Sequence, residues 1–240
     1  MPRRARIALP DVTLHLIQRG NNRSACFYAD EDYRLYLDRL GELASKFGCA
    51  VHAYVLMTNH VHLLLTPRQA DSASLLMKHL GQRYVQYINR TYRRSGTLWE
   101  GRFRSCLAQS EDYVLACHRY IELNPVRAQM VTHPAEYRWS SYRAHAEGEP
   151  CALLVAHEQY LGLGTTPQAR QAGYRGLFRS ELEPEVAHQI RVATNGNYAL
   201  GSPRFQEQIA QMLGRRVSRA KAGRPARQRP AASENHDLFK

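Results

Sequence analysis

Two histidines one residue apart, His60 and His62, stand in the run HVHLLL. The apolar context predicts a strand, and the strand period of two sends both imidazoles out of one face. Paired neutral imidazoles make half of a divalent-cation site, although many strands carry two surface histidines and the pair alone is weak evidence. Leu63, Leu64 and Leu65 mark this strand as central, where two histidines need a reason. Further along, Tyr120 and Asn124 are four residues apart in a segment of helical spacing, which puts them on one helix face. The plain reading packs Tyr120 with Val114, Cys117 and Ile121 and lets Asn124 cap the helix before Pro125. Beside the histidines a second arrangement becomes natural. Asn124 would add an oxygen ligand to a cation on His60 and His62, and Tyr120 would aim its phenol at a group bound there. A phenol has a pKa of about 10 and is a poor nucleophile at neutral pH. A cation that polarises a phosphoryl oxygen relieves this. Attack on a phosphodiester then gives a phosphotyrosine, which conserves the bond and allows rejoining by reversal. Tyr113, seven residues before Tyr120, is a second phenol on roughly the same face, but only Tyr120 has an asparagine at i+4.

The elements that would position these groups can be read from pattern and punctuation. Residues 12–18 alternate and end at the turn cluster Arg19-Gly20-Asn21-Asn22, which predicts a strand. Asp30 to Gly48 carries apolar residues at helical spacing, with Asp30 placed to cap it and Gly48 to end it. Cys49 to Met57 and His60 to Leu65 flank Thr58-Asn59 and read as a hairpin. Ser72 to Tyr92 is a long amphipathic helix, Leu98 to Gln109 a strand, and Glu111 to Val126 a helix. The order β-α-β-β-α-β-α matches a ferredoxin-like arrangement with one further helix. The expected fold class is therefore α+β, with an antiparallel sheet, helices on one face and a helical C-terminal extension. The domains expected are residues 1–145, a helical accessory module over 150–214 and a basic, disordered tail over 215–240. AHAEGEP at 144–150 reads as the linker, Glu183 to Thr194 as a helix, and Ser202-Pro203 as the capped start of a helix that Gly214 ends.

The chain has 240 residues with 33 Lys+Arg against 21 Asp+Glu, a net charge of +12. Residues 78–104 contribute +6 and residues 212–229 contribute +7, so two segments hold the whole excess. Clustered positive charge points to a polyanion, with nucleic acid the commonest. Tyr84, Tyr87 and Tyr92 interleave with Arg83, Arg90, Arg93 and Arg94, a mixture that suits single-stranded bases and phosphates or, more plainly, an amphipathic helix with its tyrosines inside. Arg102 and Arg104 alternate about Phe103 and would face a bound strand. Five cysteines without a C-x-x-C exclude a disulfide framework and a thiolate zinc site. No apolar stretch resembles a signal peptide or a membrane span, so a cytoplasmic protein is expected.

The runs YVLMTNHVHLLLTP, LWEGRFRSCLAQSEDY and RYIELNPVRA, with the opening HLIQRGNNRSACFY, resemble the single-tyrosine transposases of the HUH superfamily, and among them the REP-associated tyrosine transposases. The resemblance covers about residues 10–143. It implies the HUH nuclease fold, with His60 and His62 as metal ligands, Tyr120 as nucleophile and Asn124 helping to hold the metal. It also implies Mg²⁺ or Mn²⁺ as cofactor, and cleavage and rejoining of single-stranded DNA beside an imperfect hairpin through a 5′-phosphotyrosine. A bacterial, nucleoid-associated protein follows from the same resemblance. Arg19 and Arg23 in the opening motif, with Arg83, Arg90, Arg93, Arg94, Arg102 and Arg104, are the expected DNA contacts. Gly223-Arg224-Pro225 resembles the core of minor-groove-binding arms. The rival readings are a non-catalytic hairpin-binding protein of the same fold, and a metal hydrolase using activated water with Tyr120 merely structural.

Overall fold

The computed structural model describes residues 5–219. Its central sheet takes β1 (Leu14–Arg19), β2 (Cys49–Met57), β3 (His60–Pro67), β4 (Arg104–Ala108) and β5 (Ala199–Leu200) in the order β2-β3-β1-β4-β5. The first four strands are antiparallel in the ferredoxin-like order, and β5 adds a short parallel edge beside β4. The α+β class holds, and the sheet is mixed only through β5.

The crossover helices α1 (Asp30–Phe47) and α2 (Ser72–Thr91) share one face, as expected. Leu14, Leu16, Leu63 and Leu65 of the strands meet Leu40, Leu43, Leu76 and Leu80 of these helices there. Helices do not lie on that face alone. The opposite face is covered by α3 (Ser110–Glu122) and α8 (Pro184–Gly196), whose Val114, Cys117, Ile121 and Ile190 pack on Val55, Leu64 and Cys106. The reason is that these strands are apolar on both faces, so each face has to be buried against something. A bulge between Val51 and Ala53 switches which β2 residues face which side.

Capping explains the helix limits. Gly48 ends α1 in the left-handed region at φ 65. Asp32, in the first turn, accepts the N–H groups of Tyr28 and Ala29 at 2.8 and 3.0 Å, and so fixes the helix start from N3 rather than from Asp30. Ser202 accepts the N–H of Phe205 and starts α9 (Pro203–Leu213), which Gly214 ends at φ 60.

Several further expectations give way. The strand expected from Leu98 begins only at Arg104, because Gly101 bends the chain at φ 148. The helix expected over 111–126 stops at Glu122 and restarts as α4 (Asn124–Arg127), because Pro125 has no N–H to continue the ladder. The expected linker is largely helical: α5 (Tyr142–Glu147) ends at Gly148, φ 78. The C-terminal segment is not purely helical, since it supplies β5 as well as α6 (Glu158–Leu161), α7 (Pro167–Leu177), α8 and α9. The start of the expected tail also packs on the fold: Val217 is buried and accepts the N–H of Ala199. The rest of that tail, with Gly223-Arg224-Pro225, lies outside the described residues.

One buried carboxylate ties the segment around α5 and α7 to α3. Glu122 accepts the hydroxyls of Ser141 and Tyr174 at 2.6 and 2.7 Å, and His145 Nδ1 lies 3.0 Å away. Among the described residues no helix is long and apolar enough to cross a membrane.

Candidate active site

The sheet face beneath α3 carries His15 from β1 and His62 from β3, with His60 at the strand's start. The register between β1 and β3 puts His60 opposite Arg19 and His62 opposite Ile17. The His60 and His62 rings lie 5.1 Å apart. Tyr120 descends from α3 onto them, its ring centroid 5.8 Å from that of His62 and 5.7 Å from that of His15. Asn124, across the helix break, lies close enough to His60 to favour its charged form. Thus His60, His62, Tyr120 and Asn124 meet at one place. Tyr113 does not join them: its hydroxyl donates to Gln189 of α8 at 3.1 Å.

The hydrogen bonds assign the imidazole nitrogens. His60 Nδ1 lies 2.7 Å from Asn59 Oδ1, and the Asn59 amide donates to the Arg23 carbonyl, so His60 carries its proton on Nδ1. His62 Nδ1 lies 2.8 Å from His15 Nε2. His60 thereby keeps an unprotonated Nε2, whereas the direction of the His62–His15 bond depends on what His15 meets beyond it. Burial pushes His60 down to about 4, with Arg19 lowering it further and Asn124 opposing. Burial, then His15 and His60, hold His62 well below the ordinary histidine range. Burial likewise takes His15 to about 3. All three are neutral at neutral pH, the form in which imidazole binds metal. Two neutral imidazoles with an amide beside them fit a divalent cation of mixed N and O preference.

Three residues of this neighbourhood escape sequence reasoning. His15 has the facing parity of His62 on a neighbouring strand, but the register that joins them is not readable from sequence. Thr194 of α8, 2.9 Å from His15 Nδ1, gives no signal at all. Arg127 had one: it lies seven residues after Tyr120, and its guanidinium carbon stacks 4.1 Å above the Tyr120 ring.

The arginines divide. Arg19, Arg102 and Arg104 line one hollow with Ile17, Glu100, Gly101 and Asn195; Arg19 and Arg104 share the parity of His15 and Ile17, whereas Arg102 also lines a hollow against α2. Arg104 donates to Asn195 Oδ1 at 3.0 Å, and Phe103 turns to the other face. Arg23 is exposed in the loop whose carbonyl holds Asn59. Arg83, Arg90, Arg93 and Arg94 belong to α2 and its end, beneath the opposite face, and are not brought to the site. Arg83 pairs with Glu42 at 2.7 Å, and Arg94 donates to the Tyr28 hydroxyl. The tyrosines among them are structural. Tyr84 is buried and donates to the Cys26 carbonyl, while Tyr87 and Tyr92 donate to Asp32.

A second group of metal-ligating atoms, from His118, Glu122 and His145, lies within 4.8 Å of one another. It sits on the side of α3 turned away from Tyr120, since a step of two residues rotates about 200° around a helix. Its carboxylate is already engaged by Ser141, His145 and Tyr174.

Residues 8–124 match the family model "Transposase IS200 like". This segment is an IS200-like transposase domain. It contains His60, His62, Tyr120 and Asn124 and ends at the last of them. A solved REP-associated tyrosine transposase bound to a REP hairpin shares the fold, with a TM-score of 0.54 and 16% identity over 65% of this chain and 93% of that one. A Deinococcus radiodurans R1 protein described as an inferred transposase has 21% identity over 54% of this chain and 92% of that one; its TM-score of 0.36 is too low to define a shared fold. No curated protein matches the sequence. The likeness to IS200-like transposases thus lies in residues 8–124, and the α8–α9 region lies beyond the matched segment.

Proposed function

We propose that this transposase is a metal-dependent, single-stranded DNA endonuclease and strand transferase that works beside a hairpin through a 5′-phosphotyrosine on Tyr120. The observation that carries the proposal is the packing of the Tyr120 ring against His62 and His15, beside the paired rings of His60 and His62. His60, His62 and Asn124 would hold Mg²⁺ or Mn²⁺, which when bound supplies charge neutralisation at a phosphoryl oxygen.

The chain's own residues do the rest. Tyr120 Oη attacks the scissile phosphorus and loses its proton, the bond from phosphorus to the 3′-oxygen breaks, and that oxygen leaves as a 3′-hydroxyl after taking up a proton. The 5′-phosphate stays on Tyr120, and attack by a 3′-hydroxyl reverses the sequence. Arg127, stacked on the Tyr120 ring, stands where it can pair with the same phosphate. Arg19, Arg102 and Arg104 would guide the backbone along the hollow toward the imidazoles. The hairpin is the ligand of the solved REP-associated enzyme, and it is proposed here as the substrate of this chain.

The test uses an end-labelled single-stranded hairpin with Mn²⁺, read on a denaturing gel. The account predicts a covalent protein–DNA species that EDTA, His62→Ala and Tyr120→Phe each abolish. Cleavage that survives Tyr120→Phe would assign the chemistry to water or to Tyr113. A mobility shift with no cleavage would make the protein a hairpin binder.

A further inference from the structure

We propose that His15 and Thr194 form a hydrogen-bond relay that fixes the tautomer of His62, so that helix α8, outside the matched transposase segment, is a working part of the metal site. The proposal rests on the reading that His60 and His62 hold a divalent cation.

The direction of the relay follows from its far end. Thr194 Oγ1 lies 2.7 Å from the Ile190 carbonyl, which can only accept, so the hydroxyl proton is committed there. The same oxygen must then accept from its other two neighbours. These are His15 Nδ1 at 2.9 Å and Cys106 Sγ at 3.2 Å. His15 therefore bears its proton on Nδ1 and presents a bare Nε2. That nitrogen lies 2.8 Å from His62 Nδ1, which must donate. His62 is left with an unprotonated Nε2, the atom a cation needs. Every atom in this chain is buried: His15 and Thr194 are 1% and 2% exposed, and His62 is 3% exposed. No water competes for the bonds, and one proton at the α8 end sets two rings in series.

His60 reaches the same tautomer by a separate and local route, through Asn59. The two ligands thus differ in what controls them. His60 depends on the hairpin turn, whereas His62 depends on a helix about 130 residues downstream. Without the Thr194 hydroxyl, His15 Nδ1–H has no acceptor. The ring then gains by moving its proton to Nε2 and donating to His62 Nδ1, which drives the His62 proton onto Nε2 and blocks ligation. His15 and Thr194 are positioning residues in this account, not catalytic ones.

The decisive variant is Thr194→Val in the full chain, which keeps the side-chain shape and removes the hydroxyl. Mn²⁺ alone is the probe, and its affinity is read by electron paramagnetic resonance. We expect affinity to fall about ten-fold or more, as for other groups that orient metal ligands, with hairpin affinity in EDTA unchanged. His15→Gln, whose amide oxygen can still accept from His62, should recover part of the affinity lost in His15→Phe. Nitrogen-15 spectra of the wild-type imidazoles should show His62 protonated on Nδ1, and this reading needs no variant to fold. Unchanged Mn²⁺ affinity in Thr194→Val, or a His62 protonated on Nε2 in the wild type, would overturn the relay. Should Mn²⁺ bind wild type and His62→Ala alike, the cation reading fails instead, and the tautomer spectrum still decides the relay.

Discussion

Tyr113 and Tyr120 sit two turns apart on α3, and what separates them is what each phenol meets. Tyr113 spends its hydroxyl on Gln189, whereas Tyr120 lies over His15 and His62 with Arg127 stacked on its ring. Tyr120→Phe should therefore remove the covalent step and leave hairpin affinity within about 1 kcal/mol of wild type, since only one hydroxyl is lost. The arginines give a sharper contrast. Arg104 lines the hollow on the histidine-bearing face and lies only loosely, at 3.9 Å, from Glu100, but Arg83 is held by Glu42 at 2.7 Å beneath the other face. Replacing Arg104 with Ala should weaken hairpin binding and reduce its salt dependence by about one unit of slope, while Arg83→Ala should do neither. A titration of affinity against salt checks both; equal effects would remove the hollow from the DNA path. Composition marked both arginines as basic, but only the fold says which one faces the imidazoles.

At the level of elements, the chemistry depends on where helices stop. The break at Leu123 lets Asn124 leave the line of α3 and reach His60, and the proline behind it was visible in the sequence. So were Gly48, Ser202 and Gly214, because caps are local signals. The strand order followed from the β-α-β-β-α-β pattern. What was not legible depends on contacts between distant residues: α5 read as a linker because AHAE is small and polar, and its burial comes from Tyr142, Tyr160 and Tyr174 packing together. The Glu122 network is another case. His118 and Glu122 are an i,i+4 pair that could have been noticed, but Ser141, His145 and Tyr174 arrive only through the fold. Glu122→Leu leaves those donors buried without an acceptor. It should lower the unfolding free energy by about 3 kcal/mol, and Tyr174→Phe by about 1 kcal/mol, both read from urea midpoints. A Glu122→Leu protein as stable as wild type would show that this network does not anchor the C-terminal helices.

Over the whole molecule, an unusual number of histidines is buried and neutral. Burial lowers His52 to about 4, takes His118 well below the ordinary range and lowers His157. The unfolded chain binds a proton at each of these below a pH of about 6.5, and the native state does not. The unfolded state then holds more protons, so stability rises with pH and is lost as pH falls from about 6.5 toward about 4. The scale is about 1.4 kcal/mol per group per pH unit. In EDTA the melting temperature should drop by several degrees between about pH 7.5 and about pH 5.5; a flat profile would contradict the burial of these rings as neutral groups. Net charge pointed to a polyanion, and the hollow of Arg19, Arg102 and Arg104 gives part of that charge a place on the histidine face. The C-terminal segment could not be read as part of this neighbourhood, because it contributes a two-residue strand, the Thr194 hydroxyl and the Asn195 amide, none of which carries a sequence signal.

The central claim is that Tyr120 takes the DNA phosphate. Trypsin cuts between the two rival phenols at Arg119, so the adduct can be located directly. The protein is incubated with a single-stranded hairpin and Mn²⁺, digested, and analysed by mass spectrometry. The account predicts nucleotide mass on the peptide of residues 120–127. Nucleotide mass on the peptide that carries Tyr113, or hairpin cleavage with unmodified peptides throughout, would contradict it.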